Sequence, residues 1–196
     1  MDSGSGSEEQ VLDDQVASAD ARWRPPLREL AFELYGEWAI HDVDPEVLWD
    51  MPAFAVGVRV PMLPGAHALG ASFEHTQISR SCCNNPPWYH HFELADGWAQ
   101  NGVPRGHPLG GHGREWRLTV DGAWRDARML LHAEAFTRRR GGQNLYAPTR
   151  TGRATGAVLR ADAQLGAHAG AWLRLDYEHG ASWNEVRSTL ALKWRP

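Results

Sequence analysis

Apolar and polar side chains alternate along most of this chain, and this period of two constrains the fold more than any other feature. In the segment EWRLTVDGAW, for example, Trp116, Leu118 and Val120 alternate with Arg117 and Thr119. Successive side chains of a β-strand point to opposite faces of its sheet, so the pattern predicts strands with one apolar and one polar face. The same alternation recurs in QVASADARWR, AFELYGEWAI, FAVGVRVPM, ALGASFEHT, YHHFELADGW, RMLLHAEAF, TGAVLRADAQLGA, AWLRLDYEHG and VRSTLALKW.

These segments amount to about ten predicted strands, and no helical period fits them as well. Most of them are separated by short stretches typical of turns, which favours an antiparallel meander. Longer links are expected at residues 79–88, 99–114 and 138–152. The predicted fold class is therefore all-β, an antiparallel up-and-down β-barrel of about ten strands or part of such a barrel. Residues 1–14 are predicted to be a flexible segment, and residues 15–196 to form the β-barrel domain.

The composition argues against several classes of partner and cofactor. The 196 residues carry a net charge of −4, and the basic residues stand singly apart from the run Arg138–Arg140, so a nucleic-acid footprint is not indicated. Cys82 and Cys83 are adjacent and give neither a zinc-binding spacing nor a disulfide framework. The first ten residues are acidic and rich in Gly and Ser, unlike a secretory signal. No stretch approaches about 18 consecutive apolar residues, so a membrane-spanning role would require strands.

The two faces differ enough to favour lipid, rather than a protein core, as the environment of the apolar face. The polar face carries charges of both signs, often an arginine and an acid on the same face of one strand. Such pairs are Arg117/Asp121, Arg160/Asp162 and Arg174/Asp176. The apolar face is almost free of charge, and Trp and Tyr often stand at strand ends, like the aromatic girdles of membrane barrels. An outer-membrane barrel is therefore the favoured interpretation.

A series of short motifs between the strands carries a resemblance to a known family. The strand end Phe73-Glu74-His75-Thr76 is followed by a polar loop and then by Tyr89-His90-His91. Gly97, Gly102 and the run RGHPLGGHG at 105–113 come next, and the upstream ADARWRPPLRELAFELYGEWAIHD is similar to a hairpin that enters ELYGE. In the order of these motifs, the chain resembles a C-terminal part of the barrel of the capsule assembly Wzi family of outer-membrane proteins.

The resemblance covers roughly residues 15–196. It implies a wide β-barrel in the outer membrane of the cell, with outer-membrane lipid and capsular polysaccharide as partners. The implied role is lectin-like and non-enzymatic, namely the attachment or assembly of capsular polysaccharide at the cell surface. No catalytic residue, cofactor or metal is expected on this interpretation.

A polysaccharide-binding role selects a set of candidate residues in the loop region. Aromatic faces stack on sugar rings, and arginine or histidine side chains donate hydrogen bonds to the carboxylates of acidic glycans. The predicted polysaccharide-binding residues are Trp88, Tyr89, His90, Trp98, Arg105 and His107. The alternative for each of them is a purely structural place in the aromatic girdle or in an ordered loop.

Metal and phosphate sites find weaker support in the same region. His90 and His91 would point to opposite faces of a strand, and no acid stands at ligand spacing near His107 and His112, so no metal site is predicted. The glycines of GHPLGGHG are followed neither by Lys-Ser/Thr nor by a helical pattern. A folded loop or plug is therefore favoured over a phosphate-binding loop.

Two other functions stay open on the sequence alone. One is a soluble carbohydrate-active β-sandwich or jelly roll, which as a hydrolase would use acids such as Glu74 or Glu93. The other is a porin-like channel, whose ion selectivity would be set by the mixed charges of its lumen. The apolar face separates the first of these from a membrane barrel, because it points outward in a barrel and meets a second apolar face in a sandwich.

Overall fold

Short and long β-strands make up the regular structure of the chain. The computed structural model describes residues 16–26, 31–41, 53–66, 68–78, 88, 99–100, 103–104, 106–124 and 127–194. Within these ranges the chain forms eleven strands, and no helix is long and apolar enough to cross a membrane. The strands are β1 (Val16–Trp23), β2 (Glu33–His41), β3 (Ala53–Val60), β4 (Leu69–Ile78), β5 (Ala99–Gln100), β6 (Val103–Pro104), β7 (Gly113–Trp124), β8 (Met129–Arg140), β9 (Gly152–Gln164), β10 (Ala169–Gly180) and β11 (Asn184–Trp194).

Nine of the described strands form one antiparallel sheet in the order β1-β2-β3-β4-β7-β8-β9-β10-β11. Each of them pairs with the next long strand along the chain, and β4 pairs with β7 across the segment that contains the short β5–β6 ladder. In the described part of the chain β1 and β11 do not pair with each other, so the sheet is open. The predicted all-β, up-and-down antiparallel architecture is confirmed, in the form of a partial barrel.

The predicted alternation is present in every long strand of the sheet. In β7, Glu115, Arg117 and Thr119 point to one face, which we call the polar face, and Trp116 and Leu118 point to the other, which we call the apolar face. The antiparallel register carries these two faces across neighbouring strands, because directly paired residues lie on the same side of a sheet. The strands β7 to β11 contain 11–13 residues, which is enough to cross a hydrocarbon layer at a tilt.

The burial of the two faces is the reverse of that in a water-soluble sheet. Many large side chains of the apolar face are exposed, up to 78% for Leu192. Other exposed members are Leu34, Val56, Phe73, Trp116, Leu118, Trp124, Leu131, Leu159, Leu173, Leu175, Tyr177, Val186, Leu190 and Trp194. On the polar face, by contrast, Glu115, Arg138 and Arg140 are buried. Because soluble monomers rarely expose contiguous apolar patches of this extent, the arrangement fits a sheet whose apolar face is covered by something other than water.

Candidate functional site

A buried carboxylate lies on the polar face near the start of β7. Glu115 is 1% exposed, and its Oε1 atom accepts from Arg117 at an Nη2 to Oε1 distance of 2.6 Å. Arg138, its partner in register on β8, places its Nε 2.7 Å from the Oε2 of Glu115. A carboxylate is buried at tolerable cost only when it is paired, so the two guanidinium groups explain how Glu115 is accommodated.

The pairing continues from β8 to β10 through a second carboxylate. Arg140 donates from Nη1 and Nη2 to the two carboxylate oxygens of Glu178, at 2.5 and 3.2 Å. Arg138 also reaches Glu178, with 3.4 Å between Nη1 and Oε2, while its guanidinium carbon lies 3.7 Å from the ring centroid of Phe136. Arg138 therefore bridges Glu115 and Glu178, and the two-point geometry of Arg140 fixes the position of the Glu178 carboxylate.

The same network extends along β7 and β8 in the opposite direction. Arg117 lies 3.3 Å from Glu134, measured from Nη1 to Oε2. His132 joins Glu134 and Asp121 through its two ring nitrogens, at 2.7 and 2.8 Å. Arg117 and Asp121, which the sequence places on one face of β7, do not pair with each other, because Glu115 and Glu134 are within reach of Arg117 and His132 holds Asp121.

The other two sets of an arginine and an acid noted in the sequence do form ion pairs, on β9 and β10. Arg160 and Asp162 approach to 2.8 Å, and Arg174 and Asp176 to 2.7 Å, each within one strand. They border a groove of about 690 Å³ on the polar face. The charged and polar residues that line this groove are Asp121, His132, Glu134, Arg160, Asp162 and Arg174. The groove is thus walled by charges of both signs that are already paired with one another.

A folded loop at residues 106–112 covers the end of the network next to β7 and β8. Arg140 donates from Nε to the carbonyl oxygen of Pro108 at 3.0 Å, and Leu109 is fully buried. The amide of Leu145 donates to the carbonyl of Gly110 at 2.8 Å, which ties this loop to the 141–151 connection. Gly110 has a φ of +69°, and a Cβ there would meet the ring of Tyr146 at 3.0 Å, so glycine is required. The sequence prediction of a folded loop is confirmed for GHPLGGHG.

Both histidines of this loop are held in their neutral form. Burial, and then the positive charges of Arg117, Arg138 and Arg140, lower the pKa of His107 to about 3. Its Nδ1 accepts a hydrogen bond from the amide of Leu109 at 3.2 Å. Burial also lowers the pKa of His112, whose Nδ1 accepts from the amide of Gln143 at 3.3 Å. Neutral rings that accept backbone hydrogen bonds serve as structural supports of the loop.

The structure describes two of the six residues predicted to bind polysaccharide. Trp88 lies in a turn and is half-buried, and His107 lies in the loop against the arginines of the polar face. Tyr89, His90, Trp98 and Arg105 lie outside the described residues, so their assignment stays a prediction. Among the residues that the structure does describe, no group of three or more His, Cys, Asp or Glu side chains is arranged to hold a metal ion.

The connection between Glu115, Arg138, Glu178 and Arg140 was not predicted from the sequence. In the alternation of their strands, all four residues stand at positions of the polar face, and this much can be seen in the sequence. Their partners lie on other strands, up to 40 residues away along the chain. Only the register of the sheet, which alternation alone leaves undetermined, shows which charges meet.

The fold and the polar face together define a class of protein, an up-and-down antiparallel sheet with a charged, internally paired face and an exposed apolar face. Comparison with models of protein families gives the narrower assignment. The model described as Capsule assembly protein Wzi matches residues 2–189. The chain therefore belongs to the Wzi family of capsule assembly proteins. Neither the curated proteins nor the solved structures that were searched gave a match.

Proposed function

We propose that this chain forms part of an outer-membrane β-barrel that attaches or assembles capsular polysaccharide at the cell surface, without catalysing a reaction. The observation that carries the proposal is the reversed burial of the sheet, in which large apolar side chains are exposed while Glu115, Arg138 and Arg140 of the polar face are buried. Lipid is the environment in which such an apolar face is stable, and a charged face suits the interior of a barrel. Membership of the capsule assembly family supplies the biological setting.

The ion pairs and hydrogen bonds of the carboxylates favour a binding function over a catalytic one. Glu115 and Glu178 are each engaged by two arginines, which leaves them as structural anions rather than as proton donors or nucleophiles. Glu74, which a hydrolase would use, accepts from the hydroxyl of Tyr35 at 2.8 Å and from that of Thr76 at 3.1 Å. A sandwich would also need a second layer against the apolar face, and the long strands described here belong to one sheet.

The polysaccharide would be bound by groups outside the paired network. Arg138 and Arg140 are already engaged by carboxylates and are almost fully buried, so they offer few free donors to a glycan. The predicted aromatic and basic residues of the 88–107 region remain the candidates, because stacking on sugar rings and donation to glycan carboxylates require such side chains. The 106–112 loop, which follows this region in the chain, is held in a fixed position by Arg140.

The first experiment expresses the full chain behind a secretion signal and follows its insertion into the outer membrane. We expect the chain in the outer-membrane fraction, with a gel mobility that changes on heating, because closed β-barrels resist unfolding by detergent at low temperature. A product that is soluble and monomeric without detergent would contradict the membrane assignment. Aggregation both with and without detergent would show that this chain forms only part of a barrel and needs further strands to close it.

The second experiment tests the binding role in a strain that makes an acidic capsule. Trp98→Ala and Arg105→Gln are expected to reduce the capsular polysaccharide retained on the cells, since each removes a predicted sugar contact. Trp124→Ala is the matched control, because Trp124 ends β7 on the apolar face and is 61% exposed there. Equal retention in all three variants at equal amounts of inserted protein would refute the predicted binding residues.

A further inference from the structure

Three arginines lie side by side on the apolar face, at the end of the sheet where β4 ends and β7 begins. Arg114 of β7 is the register partner of Arg139 of β8, and Arg139 is the register partner of Arg153 of β9. All three are exposed. Gln77, the register partner of Arg114 on β4, is neutral. We call Arg114, Arg139 and Arg153 the arginine row.

The arginine row differs from the arginines of the polar face in having no acidic partner. Within the described residues, no carboxylate lies at ion-pair distance from any of its three members, whereas Arg117, Arg138 and Arg140 all have at least one. Like charges on directly opposite residues of neighbouring strands are destabilising. The sheet therefore carries a repulsive row of cations that the side chains of the described residues do not neutralise.

Along the strands, the rows of the apolar face become less polar with distance from the arginine row. The next row on the apolar face consists of Trp116, Thr137, Thr155 and His179. The rows beyond it are apolar across β7 to β10, beginning with Leu118, Ala135, Ala157 and Tyr177. The succession from cations through an aromatic and polar row to an apolar band matches the profile of a membrane interface, where Trp and Arg anchor a protein at the headgroups.

We propose that the arginine row is a binding site for the phosphate groups of lipid headgroups. This inference rests on the proposed function, since it requires the apolar face to contact lipid. Arginine presents several N–H donors in a planar fork that fits phosphate oxygens with two hydrogen bonds at once. Directly opposite residues are about 5 Å apart in a sheet, so one phosphate can be shared by neighbouring members of the row. The row stands at the end with the longer connections, which outer-membrane barrels direct to the cell exterior, so the headgroups are those of the outer leaflet.

The test measures the preference of the inserted chain for a phosphomonoester lipid. The full chain is reconstituted into phosphatidylcholine vesicles that contain phosphatidic acid, and brominated acyl chains on one lipid or the other quench its tryptophans. We expect stronger quenching by phosphatidic acid, and a preference that falls about fivefold for each arginine removed from the row. The variants are R139Q and the triple variant R114Q/R139Q/R153Q.

The matched control removes the same charge from the polar face. R187Q and the triple variant R160Q/R174Q/R187Q replace exposed arginines that already pair with acids, and they should keep the preference. An equal loss in both sets would show a general charge effect and overturn the proposal, as would an unchanged preference in the row variants. Loss of the preference in excess inorganic phosphate at constant ionic strength would assign the site to free phosphate instead.

The two proposals fail in different ways. A chain that inserts into vesicles but does not distinguish phosphatidic acid from phosphatidylcholine overturns the lipid site alone. A chain that inserts into neither kind of vesicle overturns the barrel proposal and the lipid site together.

Discussion

Three consecutive arginines, Arg138, Arg139 and Arg140, show how differently the two faces of the sheet treat the same side chain. Arg138 and Arg140 point to the polar face, are 6% and 2% exposed, and pair with Glu115 and Glu178. Arg139 stands between them on the apolar face, is exposed, and has no carboxylate at ion-pair distance among the described residues. A single step along a strand therefore separates a buried ion pair from an unpaired surface cation.

The comparison teaches that ion pairs organise the polar face of this sheet, whereas the apolar face is left exposed for an apolar environment, which is lipid on the proposed function. In a soluble protein the charged side chains lie on the exposed surface and the apolar side chains are buried, because water solvates charge and excludes apolar surface. Packing on the polar face depends on specific partners, whereas the apolar face is stable in any continuous apolar environment. Substitutions should therefore have large, partner-specific effects on the polar face, and effects on the apolar face that depend on the presence of lipid.

The largest expected effect is the loss of the buried carboxylate. Glu115→Gln leaves Arg117 and Arg138 without their shared counterion, and removing one partner of a buried pair typically costs about 3–5 kcal/mol. Urea unfolding of the detergent-folded chain, followed by tryptophan fluorescence, measures the change in the free energy of unfolding. Asp162→Asn is the control, because its pair with Arg160 is more exposed and should be worth less than about 1 kcal/mol. Similar costs for the two variants would argue that the polar face is solvated.

A charge on the apolar face should be the next most costly change. Leu118→Arg places a cation in the apolar band, at about 2–4 kcal/mol for a position near the middle of the bilayer. Thr119→Arg, one residue further on, points to the polar face opposite Glu134 and should be tolerated. Unfolding of both variants in lipid vesicles compares the two faces at the same depth. Tolerance of Leu118→Arg in lipid would contradict the assignment of the faces.

Glycine substitutions compare the packing of the two faces on a smaller scale. A Cβ at Gly156, on the polar face, would clash with the ring of Phe136 and with the carbonyl oxygen of Tyr177. Gly156→Ala should therefore destabilise the chain by about 1–3 kcal/mol. At Gly36, on the apolar face, the nearest atom is an ordinary 3.7 Å away, so Gly36→Ala should be neutral or slightly stabilising. Urea midpoints of the two variants give the comparison, and a larger loss for Gly36→Ala would reverse it.

The smallest expected effect is a local response of the 106–112 loop to pH. The pKa of His107 is lowered to about 3 in the folded loop, against an ordinary value of 6.5. Between these values the open loop binds a proton that the folded loop does not, so docking of the loop is complete above pH 6.5 and weakens as the pH falls. Hydrogen exchange at the Leu109 amide, corrected for its intrinsic rate, should quicken over this range. His107→Asn should remove most of this dependence, and an unchanged profile would assign it to another group.

The fold was largely predictable from the sequence, because alternation fixes both the strands and their faces. Trp116, Leu118 and Val120 were assigned to one face and Arg117 to the other, and the structure agrees. The sequence also placed Arg160 with Asp162, and Arg174 with Asp176, on one strand face, since residues two apart on a strand share a face whatever the register. In the structure each of these two arginines pairs with its acid.

The contacts between strands could not be predicted in the same way. Arg117 and Asp121 stand on one strand face, yet Glu115 and Glu134 are the partners of Arg117. A one-residue shift in register would have produced a different set of pairs, and nothing in a single sequence selects one register. The arginine row could not be predicted for the same reason, because its members come from three strands and become neighbours only through the register of those strands.

The most direct test of the account is the environment of two adjacent residues on β7. In a Cys82→Ser/Cys83→Ser background, a nitroxide label is attached at Leu118→Cys or at Thr119→Cys, and the inserted chain is examined by electron paramagnetic resonance. We expect the label at 118 to collide with lipid-soluble oxygen and to be shielded from a water-soluble nickel chelate, and the label at 119 to show little contact with oxygen from the lipid. Access of the nickel chelate to the label at 118, or greater oxygen contact at 119, would contradict a sheet whose apolar face lies in lipid.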